Sequence, residues 1–203
     1  MKKLAAYLFL FLSSPLMAFA QIIPEKGVPL LKNFTPLQYQ NKGKIWDIKT
    51  APNGIVYMSA DKGLLEYDGK TWNSFTGSNG FTRSVLAVND SLLFTGSDLD
   101  FGVWRKNKFQ GFDYSSWYPF QEVAQEISEE FWDVYQLDDD IIFVSFQNIY
   151  LSKNEQLVKI PAPSGFTGSF WLNDTLYFTD EKTGLYVFND FSLHQVFEFP
   201  ENM

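Results

Sequence analysis

The chain contains no cysteine and a single histidine, His194. The first absence removes disulfides, thiolate metal sites and cysteine nucleophiles together. The second leaves catalytic triads and histidine metal clusters without the partners they need; on its outer-strand position His194 reads as an exposed strand residue. Positive charge is in deficit: 16 Lys and Arg stand against 24 Asp and Glu, a net charge of −8 that deepens further if a leader carrying Lys2 and Lys3 is removed. A chain of this sign repels phosphate backbones, so nucleic acid is not an expected partner. Beyond the first twenty residues no apolar run reaches the ~20 residues that a membrane span requires. Nothing in the sequence calls for a cofactor or a metal.

What the chain does have is aromatic and β-branched residues. Aromatics make up 18% of it, Phe alone numbers 21, and hydrophobics reach 45%, a composition that favours strands and a packed core. Residues 1–20 read as a secretory signal peptide: Lys2 and Lys3, an apolar stretch over 4–12, then Ala18-Phe19-Ala20 as a small-x-small cleavage site, with cleavage after Ala20. The mature chain is expected to be exported and periplasmic.

After a proline-bearing lead-in over 21–42, whose residues 30–34 have strand character, one pattern is read four times. It runs inner strand, turn, apolar strand, turn, second apolar strand, turn, outer strand. The first copy holds Pro52-Asn53-Gly54, then Ile55-Val56-Tyr57-Met58, Asp61-Lys62-Gly63, Leu64-Leu65-Glu66-Tyr67, Asp68-Gly69 and Trp72. The others are anchored by Asn89-Asp90, Asp138-Asp139-Asp140 and Asn173-Asp174, with outer strands over 108–112, 156–160 and 193–199. Inner strands are expected over 45–49, 84–88, 131–136 and 168–172. Four antiparallel strands per unit, repeating at about 35–50 residues, are the pattern of β-propeller blades. The fold class is therefore all-β, with blades over 43–78, 80–113, 131–161 and 166–199. An insertion over 114–130 has helical spacing at Val123 and Ile127. The fourth copy supplies its own outer strand, which leaves the lead-in no blade to complete. An incomplete propeller continuing in a longer protein is expected, and a closed four-bladed ring is the alternative.

Several residues invite a chemical reading. Asp138-Asp139-Asp140 could hold a hard cation, but the other copies carry Asn and Asp at that place, where they suit tight hairpin turns. Gly63, Gly102 and Gly184 share a repeat position and point to a positive φ or a close approach. A glycosidase would need two carboxyls about 5–9 Å apart, and no such pair stands out. The best binding candidates are Trp46, Arg83, Trp132 and Trp171, placed near inner-strand starts. If they converge at one channel end, the indoles can stack on a ligand ring and the guanidinium can hold an anion. The other reading of the tryptophans is packing between blades.

The residues Ile45-Trp46-Asp47-Ile48, Gly54-Ile55-Val56-Tyr57, Gly63-Leu64-Leu65-Glu66-Tyr67-Asp68-Gly69 and Trp72 resemble the two-component regulator propeller repeat of sensors in the Bacteroidetes group of bacteria. Arg83-Ser84-Val85, Gly96 and Phe101-Gly102-Val103 resemble its next blade. The resemblance implies a periplasmic ligand-sensing segment that binds rather than catalyses. Its partners would be a glycan or other small extracellular ligand and the sensor domains downstream. In that family these are a Tyr-rich immunoglobulin-like domain, a membrane helix, and a histidine kinase or helix-turn-helix output, none of which this chain contains. Open blade faces would also favour self-association. A stand-alone secreted scaffold or adhesion module, and a propeller glycan hydrolase or lyase, are the rival functions.

Overall fold

The computed structural model describes residues 27, 31–39, 43–78, 80–118, 129–153 and 156–200. The signal peptide and the helical spacing over 122–128 lie outside the described residues. The chain divides into two compact units, residues 1–33 and 34–203. In the first, only Gly27 and residues 31–33 are described, and none belongs to a strand or helix. The second holds all the secondary structure that follows.

Among the described residues sixteen strands form four antiparallel sheets of four, each in simple sequence order. Blade 1 is β1 (Ile45–Thr50), β2 (Val56–Ala60), β3 (Gly63–Tyr67) and β4 (Trp72–Phe75). Blade 2 is β5 (Thr82–Ala87), β6 (Leu92–Ser97), β7 (Asp100–Lys106) and β8 (Phe112–Ser116). Blade 3 is β9 (Phe131–Leu137), β10 (Asp140–Ser145), β11 (Asn148–Lys153) and β12 (Gln156–Pro161). Blade 4 is β13 (Phe166–Leu172), β14 (Thr175–Asp180), β15 (Gly184–Asn189) and β16 (Ser192–Glu198). Strands β1, β5, β9 and β13 are the inner ones.

The outer strand of blade 2 starts at Phe112, four residues later than the sequence suggests. Asn107 is the reason: its Oδ1 accepts from the amides of Phe109 (3.0 Å) and Gly111 (3.1 Å), and Gln110 takes φ 67°, closing residues 107–111 into a turn. The hairpin turns at Asp138, at Asn173 and Asp174, and at Asp190 and Phe191 also carry positive φ, the geometry for which Asn and Asp are suited. The lead-in does not extend as a strand over 31–34. Thr35 instead binds the Gln38 side chain through its amide and hydroxyl, and starts a turn over 36–39.

The core lies between blades rather than within one. Ala51, Tyr57 and Leu64 of blade 1 and its β1–β2 turn meet Val85, Leu93 and Trp104 of blade 2. Phe94, Phe101 and Val103 of blade 2 meet Phe131, Phe143 and Tyr150 of blade 3. Ile142, Val144 and Leu151 of blade 3 meet Phe166, Phe178 and Phe188 of blade 4. Side chains alternate across a strand, so the continuous apolar run 141–144 feeds two interfaces: Ile141 and Phe143 on one face, Ile142 and Val144 on the other. Blade 4 has one buried face only. Leu176, Phe178 and Asp180 are buried, while Phe170, Leu172 and Phe197 are 41%, 52% and 55% exposed. The face of blade 1 away from blade 2 is covered by Tyr39 and Trp72, with Phe34 edge-on to Tyr67 and Trp72.

The three glycines at the common repeat position share a close approach, and Gly63 and Gly184 also take positive φ, 111° and 129°. A Cβ at Gly63, Gly102 or Gly184 would lie 2.3, 2.3 or 2.1 Å from a carbonyl oxygen of Phe75, Ser115 or Phe197, on or beside the outer strand of the same blade. The close approach is within the blade.

Turns are held by carboxylates. Asp180, fully buried, accepts six hydrogen bonds, from the amides of Ser164, Gly165, Lys182 and Thr183 and the hydroxyls of Ser164 and Thr183. Burial pushes its pKa up, but the Ser164 and Thr183 donors outweigh that and hold the carboxyl well below its usual range. A pKa lower in the folded chain than in the unfolded one gives stability that is complete above the unfolded value of about 4 and is lost as pH falls below it. Asp180→Asn is expected to destabilise the chain by about 2 kcal/mol at pH 7. The gap to wild type should narrow between urea melts at pH 7 and pH 3; a constant gap would show that the charge is not what these donors recognise.

Candidate functional site

The inner strands share an irregularity. Pairing between β1 and β2 skips from Ile45 to Asp47, between β5 and β6 from Thr82 to Ser84, between β9 and β10 from Phe131 to Asp133, and between β13 and β14 from Phe166 to Gly168. The residue left over is Trp46, Arg83, Trp132 and Thr167 in turn. A bulge turns its extra residue out of the regular alternation and is a common device for aiming a side chain. Repeated four times at one position, it presents one side chain per blade at the same end.

Three of these side chains meet. The Arg83 guanidinium lies over Trp46 at 4.0 Å and Trp132 at 4.7 Å from the ring centroids, and the two indoles stand edge to face 5.8 Å apart. Asp98, just after β6, grips Arg83 through Nε (2.6 Å) and Nη2 (3.1 Å), and Glu130 stands 3.9 Å from Nη2. Asp61, just after β2, accepts the Trp46 Nε1 hydrogen at 2.7 Å. Both carboxylates lie fifteen residues beyond the group they hold. Arg83 is 9% exposed, so its charge is balanced mainly by Asp98 within the protein. The Trp132 Nε1 hydrogen is buried with no acceptor among the described residues.

Trp171 does not join them. It sits four residues after Thr167, near the far end of β13, edge-on to Tyr135 at 6.2 Å. Because β13 begins at Phe166 rather than Gly168, the matching residue of blade 4 is Thr167, whose hydroxyl pairs with that of Thr179 at 2.9 Å. His194 is exposed on β16 beside Ser192.

The third residue of the inner strands of blades 1, 2 and 3 links neighbouring blades. Asp47 accepts from the Val85 amide at 3.2 Å, Ser84 donates to the Phe131 carbonyl at 3.1 Å, and Asp133 accepts from the Ser169 hydroxyl at 2.6 Å. Burial pushes the Asp133 carboxyl up; the Ser169 bond opposes this and the Asp47 charge adds to it. Asp133 also lines a cavity of about 200 Å³ between blades 3 and 4, with Trp132, Phe146, Phe166 and Thr167.

Sequence reasoning missed Glu129, which is 3% exposed. It accepts from Ser145 (2.7 Å), Asn148 (2.5 Å), Tyr150 (2.9 Å) and Tyr118 (3.1 Å), tying the end of the insertion to blade 3. No repeat signal marks it, because it lies outside the repeats.

No protein-family model matches the chain, and no curated protein does. Solved structures do. Two of the extracellular domain of BT4673 from B. thetaiotaomicron, described once as a one component system and once as a hybrid two component system, are similar to it. The first aligns with 73% of this chain at 15% identity and a TM-score of 0.55, the second with 72% at 17% and 0.53. The alignment spans only 20% of either domain. At this identity the likeness is one of fold, and the four four-stranded antiparallel sheets of this chain are β-propeller-like blades.

Proposed function

We propose that the chain is an exported, ligand-sensing β-propeller segment of a signalling receptor, working by binding rather than catalysis and belonging to a longer protein. The observation that carries this reading is the convergence of Trp46, Arg83 and Trp132, delivered by one bulge per blade to one end of the inner strands. Two indole rings and a guanidinium already held by a carboxylate offer stacking and ion-pair chemistry, not proton transfer. The fold shared with extracellular domains of a one- or two-component system supports export and a sensing role, as does the regulator-propeller resemblance around Gly63–Trp72. A sugar ring or another small extracellular compound is the class of ligand such an aromatic cluster suits. Binding there would change how blades 1, 2 and 3 pack, and that bias would pass to downstream domains.

Two results test this. Produced with its own leader in a Gram-negative host, the protein should appear in the periplasm with a mass beginning at Gln21. Downstream of codon 203, the reading frame should continue through further blades to a membrane-spanning helix. A cytoplasmic product that keeps Met1 would overturn export. A stop codon at that point would overturn the receptor reading and leave a stand-alone secreted module.

A further inference from the structure

The cavity between blades 3 and 4 lies on blade 3's opposite side from Arg83's own blade. Its volume, about 200 Å³, is below the roughly 300–1,000 Å³ of pockets for drug-sized ligands, so it suits a small one. Its wall combines the rings of Trp132, Phe146 and Phe166 with the carboxylate of Asp133. Phe146, 44% exposed, leans on Trp132 with ring centroids 5.6 Å apart.

No cation among the described residues is in contact with the carboxylate on this wall. Among the described residues no lysine or arginine lies within 4.0 Å of Asp133. Lys49 is engaged by Asp47 at 3.0 Å, and Arg83 by Asp98. Asp47 acts on Asp133 repulsively and Lys49 attractively from beyond contact; the hydroxyls of Ser169 and Tyr135 meet at this junction, and Ser145 and Thr167 also line the cavity. A half-buried carboxylate gains from a cation in contact, and aromatic faces attract cations. Both features select the same ligand chemistry.

We propose that this cavity binds a small organic ammonium, its charged nitrogen at Asp133 and its apolar body against Trp132, Phe146 and Phe166. The site goes beyond the Trp46–Arg83–Trp132 cluster, shares only Trp132 with it, and holds whether or not the chain is part of a receptor. The raised pKa of Asp133 agrees with a carboxylate waiting for a counter-charge.

Benzylamine and its neutral isostere benzyl alcohol are the probes, titrated into the protein and followed by the indole NMR signal of Trp132, assigned with Trp132→Phe. Benzylamine should shift that signal with an affinity at least about tenfold above benzyl alcohol. Asp133→Asn should erase the preference, and Phe146→Ala, on an exposed ring, should weaken benzylamine several-fold while the fold is kept. Equal affinities for the two probes, or an undiminished benzylamine affinity in Phe146→Ala, would overturn the proposal; the second result decides even if Asp133→Asn fails to fold. Tighter binding of a neutral sugar such as glucose than of benzylamine would assign the cavity to a different ligand class and overturn it too.

Discussion

Phe101→Ala is expected to destabilise the chain by about 4 kcal/mol. Phe101 is fully buried on β7 and faces blade 3. Its ring stacks on Phe143 at 4.3 Å and stands against Phe131 at 4.8 Å, Tyr150 at 5.2 Å and Tyr118 at 5.5 Å. Truncation removes the transfer energy of the ring and leaves a cavity whose walls belong to two different sheets. Those sheets are constrained by their own ladders and can close the gap only partly. Aromatic pair geometry adds about 0.5–1.5 kcal/mol per pair beyond area. Phe101→Leu keeps much of the volume and should lose less than half as much. Urea melts decide the matter, and a loss below about 1.5 kcal/mol for the alanine variant would mean that the interface recloses around the hole.

Arg83→Ala should cost about 3 kcal/mol, the scale of breaking a buried ion pair by removing one partner. Asp98, with its side chain only 19% exposed, loses its bidentate cation and keeps Glu130 for a neighbour. Trp46 and Trp132 lose the guanidinium that packs against both rings. Arg83→Lys keeps the charge but not the planar fork or the stacking, so its cost should be intermediate, at about 1–2 kcal/mol. Near-UV circular dichroism should report the altered indole packing in both variants. The pair is shielded from solvent, so 0.5 M salt should barely change the wild-type melt. A lysine variant as stable as wild type would show that charge alone matters here, and not the packing against the rings.

Much of this was legible in the sequence for a physical reason. A blade is a meander, so its strands and turns follow one another along the chain, and a fourfold recurrence of Asn, Asp and Gly between apolar runs marks them directly. Trp46, Arg83 and Trp132 were legible because they lie at or beside the starts of the inner strands that the repeat pattern marks. Trp171 was misplaced because Gly165-Phe166-Thr167 gives no strong start signal, so the strand was taken two residues short and its largest aromatic drew attention instead. The bulge itself leaves no single-residue mark. The equal spacing from Trp46 to Asp61 and from Arg83 to Asp98 was present, but both aspartates also suit turns, and the turn reading absorbed them. Glu129 was beyond reach, since its donors come from positions 118, 145, 148 and 150, brought together only by the stacking of blade 3.

Among the described residues every ladder joins strands consecutive in the chain, and the isolated bridge of Asp98 with Glu130 crosses between blades 2 and 3. Energetically this makes the chain a one-dimensional array: a local term for each blade and a coupling term for each of the three interfaces. Blades 2 and 3 are coupled on both sides. Blade 4 meets blade 3 through one face, and its other face is where the next blade of the proposed longer protein would stack. Such an array can gain or lose a terminal unit without rewiring any hydrogen-bond ladder, so length is the property that can vary most freely while the rest of the molecule stays as it is.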